Sequence, residues 1–107
     1  MSMLNLTIQP YEFKCADTFA TYYIEVPEGS ELLTVTTDDL GVHTAWCIVD
    51  IDYPPTRRFF KILMPGESIA KRSDFVFIKE IYDGGMVWLV FEDYAMKLVW
   101  MMKEGQK

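Results

Sequence analysis

The 107 residues predict a single, mainly β domain, either one compact antiparallel sheet or a small sandwich or barrel of about six to seven strands. Three observations carry this prediction. Apolar and polar residues alternate with a period of two in most windows. Turn-forming clusters rich in Gly, Pro and Asp separate those windows at short intervals. Half the residues are apolar, and seven Phe, six Tyr and three Trp supply ample bulk for one core and argue against disorder. An α+β architecture is the alternative, and it hinges on the last stretch of the chain.

The first strand runs from Thr18 to Val26, where Tyr22, Ile24 and Val26 share one face. Pro27-Glu28-Gly29-Ser30 ends it, and Glu31 to Thr37 resumes with β-branched threonines and a valine. Asp38-Asp39-Leu40-Gly41 reverses the chain, because its carboxylates cap local amides and Gly41 is free to take positive φ. Val42 to Ile51 is then the longest strand candidate. Tyr53-Pro54-Pro55-Thr56 interrupts the ladder, since two successive residues lack an N–H donor. From Arg57 to Met64, alternation sends Arg58, Phe60, Ile62 and Met64 to one side and Arg57, Phe59, Lys61 and Leu63 to the other.

Pro65-Gly66-Glu67-Ser68 is a further turn, and the polar, basic segment to Ser73 reads as an exposed loop. Asp74 to Tyr82, the Asp83-Gly84-Gly85 turn and Met86 to Phe91 form the clearest hairpin in the chain. Its second arm is apolar on both faces, which predicts a central, covered strand. Tyr94 to Met102 alternates like a strand, yet it is rich in helix formers and Asp93 can cap it, so it is a helix or an oligomer-forming arm. The chain contains no internal repeat, low-complexity tract or linker, so residues 1–107 read as one domain, with 93–107 as an added assembly element.

A net charge of −6 repels a phosphate backbone and argues against binding a nucleic-acid polymer. Glu92, Asp93 and Lys97 interrupt the most apolar stretch, Met86 to Met102, so a transmembrane helix is not expected. Met1-Ser2-Met3-Leu4-Asn5 lacks the basic start and apolar run of a secretory signal, which predicts a chain that stays in the compartment where it is made. In a reducing compartment Cys15 and Cys47 read as small buried apolar groups, not as a disulfide. The supply of large apolar side chains exceeds what so small a body can shelter, so part of its surface is expected to meet a partner, most simply a second copy.

Few residues are arranged for chemistry. His43 is the sole histidine and stands at the start of a strand, without a nucleophile or acid at motif spacing, so it reads as a rim histidine. Two cysteines and one histidine match no zinc spacing, and no Gly-rich loop leads from a strand into a helix, so no metal and no cofactor is expected. Asp50 and Asp52 share a face at a strand end, as paired metal-binding carboxylates would, but next to a Pro-Pro turn they more often accept bonds from turn amides. Arg57, Arg58 and Lys61 form the densest basic cluster, with Lys71 and Arg72 a second. A local positive patch on an acidic protein can select a small multiply charged anion, whereas an arginine pair after a turn is more often a solvated edge. Trp88 sits in an apolar run and belongs to the core. Trp46 shares its face with Ile48 and Asp50 and is the better candidate for an exposed stacking surface. Trp46, Arg57, Arg58 and Lys61 are therefore the candidate ligand-binding residues.

Val26-Pro27-Glu28-Gly29, Leu33, Trp46-Cys47-Ile48-Val49-Asp50, Pro55-Thr56-Arg57-Arg58-Phe59-Phe60-Lys61-Ile62, the Gly66 turn and Val87-Trp88-Leu89-Val90-Phe91-Glu92 form a spaced pattern of short motifs. In this pattern the chain resembles a family of short, uncharacterised bacteriophage and prophage proteins, a domain of unknown function, over about residues 5–92. It departs from the family at Leu89, where a histidine often follows the Val-Trp pair, and at Met64-Pro65, where Thr-Gly-His-like residues are common. The resemblance implies a viral origin and no particular activity. With the composition, it leads to the expectation of a non-enzymatic phage protein acting in the host cytoplasm. Its role there would be to block a host defence protein or to sequester a small anionic, nucleotide-type signal. The alternatives are a metal-assisted phosphoester hydrolase using Asp50, Asp52 and His43, and a minor virion or assembly component.

Overall fold

The computed structural model of the chain describes residues 6–16, 20–69 and 71–105. Within them the strands are β1 (Leu6–Glu12), β2 (Lys14–Cys15), β3 (Thr21–Pro27), β4 (Glu31–Thr37), β5 (His43–Asp50), β6 (Pro55–Leu63), β7 (Phe75–Asp83) and β8 (Met86–Asp93). One helix follows, α1 (Tyr94–Glu104). The strands pair into two antiparallel sheets, a three-stranded one in the order β1-β5-β4 and a five-stranded one in the order β2-β3-β6-β8-β7. The mainly β fold expected from the alternation is thus realised as a sandwich.

Alternation explains the core. Ala45, Cys47 and Val49 of β5 point inward and are wholly buried, while Trp46 and Ile48 point away. From the facing sheet, Ile24 and Val26 of β3, Phe60 and Ile62 of β6, and Val90 of β8 close on them, with Tyr22 and Trp88 at the margin. A smaller cluster of Leu63, Phe75 and Phe91 lies on the other side of the five-stranded sheet, packed by Leu89 and Ile69. That second cluster is why β8, lying between β6 and β7, is apolar on both faces.

β1 and β2 were not anticipated. They are one extended run that changes sheets at Phe13, whose N–H donates to the His43 carbonyl (2.9 Å) and whose ring stacks on Phe60 at 4.8 Å. Pro10 hides this strand from a reading by alternation, but β1 is an edge strand and can carry a residue without a donor. β6 likewise begins earlier than expected, at Pro55, which faces Pro27 at the last rung of the β3 ladder where no N–H is needed. The edge strands β4 and β7 each carry a bulge, and Lys79 Nζ donates to Thr34 Oγ1 (3.3 Å) to tie the two edges together.

The ambiguous C-terminal stretch is helical. Asp93 caps it by accepting from the Met96 N–H (3.0 Å), and with this cap its helix-forming residues outweigh the alternation. Cys15 is exposed, which corrects the expectation that both cysteines are buried; only two residues of β2 pair with β3, too short a strand to cover it. Met1 to Asn5, and the predicted strand start at Thr18, lie outside the described residues. Among those described, no helix is long and apolar enough to cross a membrane.

Large apolar side chains remain outside, among them Leu6 (57% exposed) and Ile8 (59%) on the outer face of the three-stranded sheet, and Leu98 (60%) and Met102 (66%) on α1. The core itself tolerates no such exposure. Phe60→Ala is expected to cost about 3–5 kcal/mol in urea unfolding, whereas Leu40→Ala, in the β4–β5 turn, changes stability by less than about 0.5 kcal/mol.

Candidate functional site

The two sheets distribute the predicted binding residues over separate surfaces. Trp46 lies on the outer face of the three-stranded sheet, where its Nε1–H donates to Thr36 Oγ1 (2.9 Å). Arg58 points between the sheets. Its Nε and Nη2 donate to the two oxygens of Glu92 (2.7 and 2.6 Å), and its Nη1 donates to the Ser30 carbonyl (2.8 Å). Burial works against the guanidinium charge, but the hydrogen bonds and charge of Glu92 outweigh it and hold the Arg58 pKa above the usual arginine value. Arg58 is therefore committed to the fold. Lys61 stands farther along β6 on the outer face, between Thr21 and Phe91 in the ladder.

Of the four, Arg57 lines the cleft under α1, while Arg58 borders a separate hollow of about 300 Å³ beside Glu92, Tyr94 and Lys97. The Arg57 guanidinium lies over the Tyr23 ring at 4.4 Å, faces Trp100 at 5.8 Å, and pairs with Glu25 at 3.5 Å in a half-exposed contact. The cleft, of about 330 Å³, runs between α1 and the outer face of the five-stranded sheet. Tyr23, Phe59 and Trp100 give it aromatic walls, while Arg57 and Lys103 bring positive charge and the chain at Cys15 and Ala16 closes one side. Lys97 anchors the helix beside it by donating to Thr56 Oγ1 (2.7 Å) and to the Arg57 carbonyl, and its Nζ sits 5.2 Å from the Trp100 ring. Burial first, then the charge of Arg58, lowers the Lys97 pKa, with Glu28 and Glu92 opposing.

Sequence reasoning missed Tyr23, Phe59, Trp100 and Lys103 as site residues. Alternation did place Phe59 beside Arg57, but nothing local tells which sheet face α1 returns to. The strand pattern had put Tyr22, not Tyr23, on the marked face; the structure uses the former inside and the latter in the cleft.

The hydrolase trio does not converge. His43 opens β5 and Asp50 closes it, seven residues or about 23 Å apart. Asp50 Oδ1 instead accepts from the Asp52 N–H (3.0 Å), the turn-capping role. Among the described residues no group of three or more His, Cys, Asp or Glu side chains could hold a metal ion. His43 Nδ1 lies 2.8 Å from Thr37 Oγ1, with the rings of Phe13 and Tyr22 edge-on at 6.0 and 6.1 Å. Burial lowers its pKa below 6.5, while the charges of Asp83 and Asp38 raise it in part.

Comparison of the chain with protein-family models, with curated proteins and with solved structures finds no match.

Two outcomes follow from these contacts. Arg58→Ala strands the Glu92 carboxylate, which is 5% exposed, and is expected to cost about 3–5 kcal/mol. The Arg58→Met/Glu92→Leu pair should recover most of that loss in denaturant titrations. Because the folded protein disfavours the His43 imidazolium, the unfolded chain binds more protons below pH 6.5, and stability falls as pH drops through and below that value. In His43→Gln the fall in Tm between about pH 7 and pH 5 should be measurably shallower.

Proposed function

We propose that the chain is a non-enzymatic binding protein of the phage type it resembles, acting in the host cytoplasm by holding a small anionic, nucleotide-type ligand in the cleft under α1. The observation that carries this reading is the pairing of charge with aromatic surface there. Arg57 is preset on Tyr23, Lys103 approaches from the helix, and Phe59 and Trp100 offer faces to a planar ring. Cations gathered in one groove of a protein with net charge −6 attract a compact anion, while the surrounding negative charge disfavours a long polyanion.

Self-association with a second copy belongs to the same proposal. Leu6, Ile8, Trp46 and Ile48 form an apolar stripe on the outer face of the three-stranded sheet, with Asp50 beside Leu6 and Glu31 beside Ile48 at its margins. A second copy can cover that stripe, with Glu31 and Asp50 left at the polar rim of the contact. Pro10 sits in the middle of the β1 edge and opposes edge-to-edge extension, so the association runs face to face.

Cyclic mono- and dinucleotides are the probes for the cleft. At a hundredfold excess over Kd, a ligand that binds only the folded state adds about 2.7 kcal/mol, which raises Tm by about 10 °C in a domain of this size. Arg57→Ala and Trp100→Ala should abolish the rise, while Trp46→Ala preserves it. No rise across the panel would remove the anion reading. In sedimentation velocity the protein should exceed the 12.5 kDa of one chain, and Ile8→Glu should return it to that mass.

A further inference from the structure

At one end of the sandwich, Gly41 of the β4–β5 turn, Glu67 of the β6–β7 turn and Asp83 at the end of β7 surround an opening that reaches the inner face of the five-stranded sheet. The opening is a cavity of about 280 Å³. Tyr22 and Trp88 from the inner face of the five-stranded sheet line it together with Ile62, and His43 faces them from the start of β5. Glu67, on the β6–β7 turn, and Asp83, the last residue of β7, are both exposed and complete it. Ala20 also lines this opening at φ 57°, the one non-glycine residue with positive φ among those described. Such strained backbone persists where the surrounding structure holds it and is concentrated at functional sites.

The chemistry here is the reverse of the cleft under α1. At neutral pH the imidazole is uncharged, so the formal charges in the opening are the two carboxylates. Aromatic faces carry negative quadrupole potential, and with two carboxylates they attract a cation whose body can also lie against Ile62. A bare metal ion is a poor occupant, because His43, Glu67 and Asp83 form no group that could hold one. An anion would meet two like charges. Ordered pockets at the mouth of a two-sheet fold, with apolar walls and a few polar groups at the edge, are a common form of small-ligand site.

We infer that this mouth binds a small organic cation, a protonated or quaternary amine, seated against the Tyr22 and Trp88 rings with Asp83 and Glu67 balancing its charge. The site is independent of the cleft under α1 and of any ligand bound there.

Choline and its neutral carbon isostere, 3,3-dimethylbutan-1-ol, have nearly the same shape and differ in charge, so together they isolate the cationic contribution. In 1H–15N spectra of the full chain, choline should shift the Trp88 indole N–H resonance with saturation in the millimolar range, leaving that of Trp100 in place. The isostere should bind at least about tenfold more weakly, and Asp83→Asn should weaken choline by about three- to tenfold. Asp83 is the exposed last residue of β7, and a carboxylate-to-amide change there leaves the backbone pairing with Met86 intact, so this variant keeps its dispersed spectrum. Trp88→Phe should retain weak binding, followed on the Tyr22 backbone amide. If the Trp88 resonance does not move up to about 0.1 M choline, a range set by the weakest measurable affinities, the inference is wrong. Equal binding of choline and the alcohol would also overturn it, because the mouth would then be only an apolar hollow. Either failure leaves the cleft under α1 untouched, since that reading is followed at Trp100 with a nucleotide probe.

Discussion

A guanidinium held between two sheets decides how this molecule presents its charges. Arg58 meets both oxygens of Glu92 and the Ser30 carbonyl, linking β6 to β8 and to the β3–β4 turn in one contact. Removing either ion alone would leave a buried charge unpaired, so the pair acts with the packing of Phe60 and Ile62 to set which face of β6 turns inward. With Arg58 inside, its neighbour Arg57 must lie outside, over Tyr23 and within reach of Trp100. The positive cleft under α1 thus follows from the ion pair and the buried Phe60 and Ile62 on the opposite side of the strand.

The sandwich is small, and its helix leaves much apolar surface uncovered. α1 rests on the five-stranded sheet through Trp100, Lys97 and Met96, and none of its residues is fully buried. A helix held by so few contacts is drawn from the less stable part of a fold, and it forms one wall of the cleft. The same economy leaves the far mouth open between turns. Two hollows of opposite polarity therefore lie on one domain, one framed by arginine and lysine and the other by aspartate and glutamate.

Most strands from Glu31 onward were legible because their faces differ, and β8 because its continuous apolar run marks a strand covered on both sides. In β5 the alternation of Ala45, Cys47 and Val49 with Trp46 and Ile48 maps directly onto core and exterior. β4 runs over the very residues the pattern marks, and the Asp83-Gly84-Gly85 reversal sits where its dipeptide chemistry requires, with both glycines at positive φ. β1 was not legible, since Pro10 and a run of mostly exposed residues on an edge give alternation nothing to report. Trp46, Arg57, Arg58 and Lys61 were close in sequence or similar in kind, but the pleat sends Arg57 and Arg58 to opposite faces, and the separation of the sheets removes Trp46 from both.

By itself the sequence determined the mainly β character, the turn positions, the buried faces of β3, β5 and β6 and the cap at Asp93, because each depends on neighbours within a few residues. Tertiary structure alone decided that Glu92 would meet Arg58 across 34 positions, that α1 would fold back over Tyr23 and Phe59, and that His43, Trp88, Glu67 and Asp83 would frame one opening. Those juxtapositions depend on which strands pair and how two twisted sheets stack. That choice is made by the summed burial of the whole core, and no local pattern of residues records it.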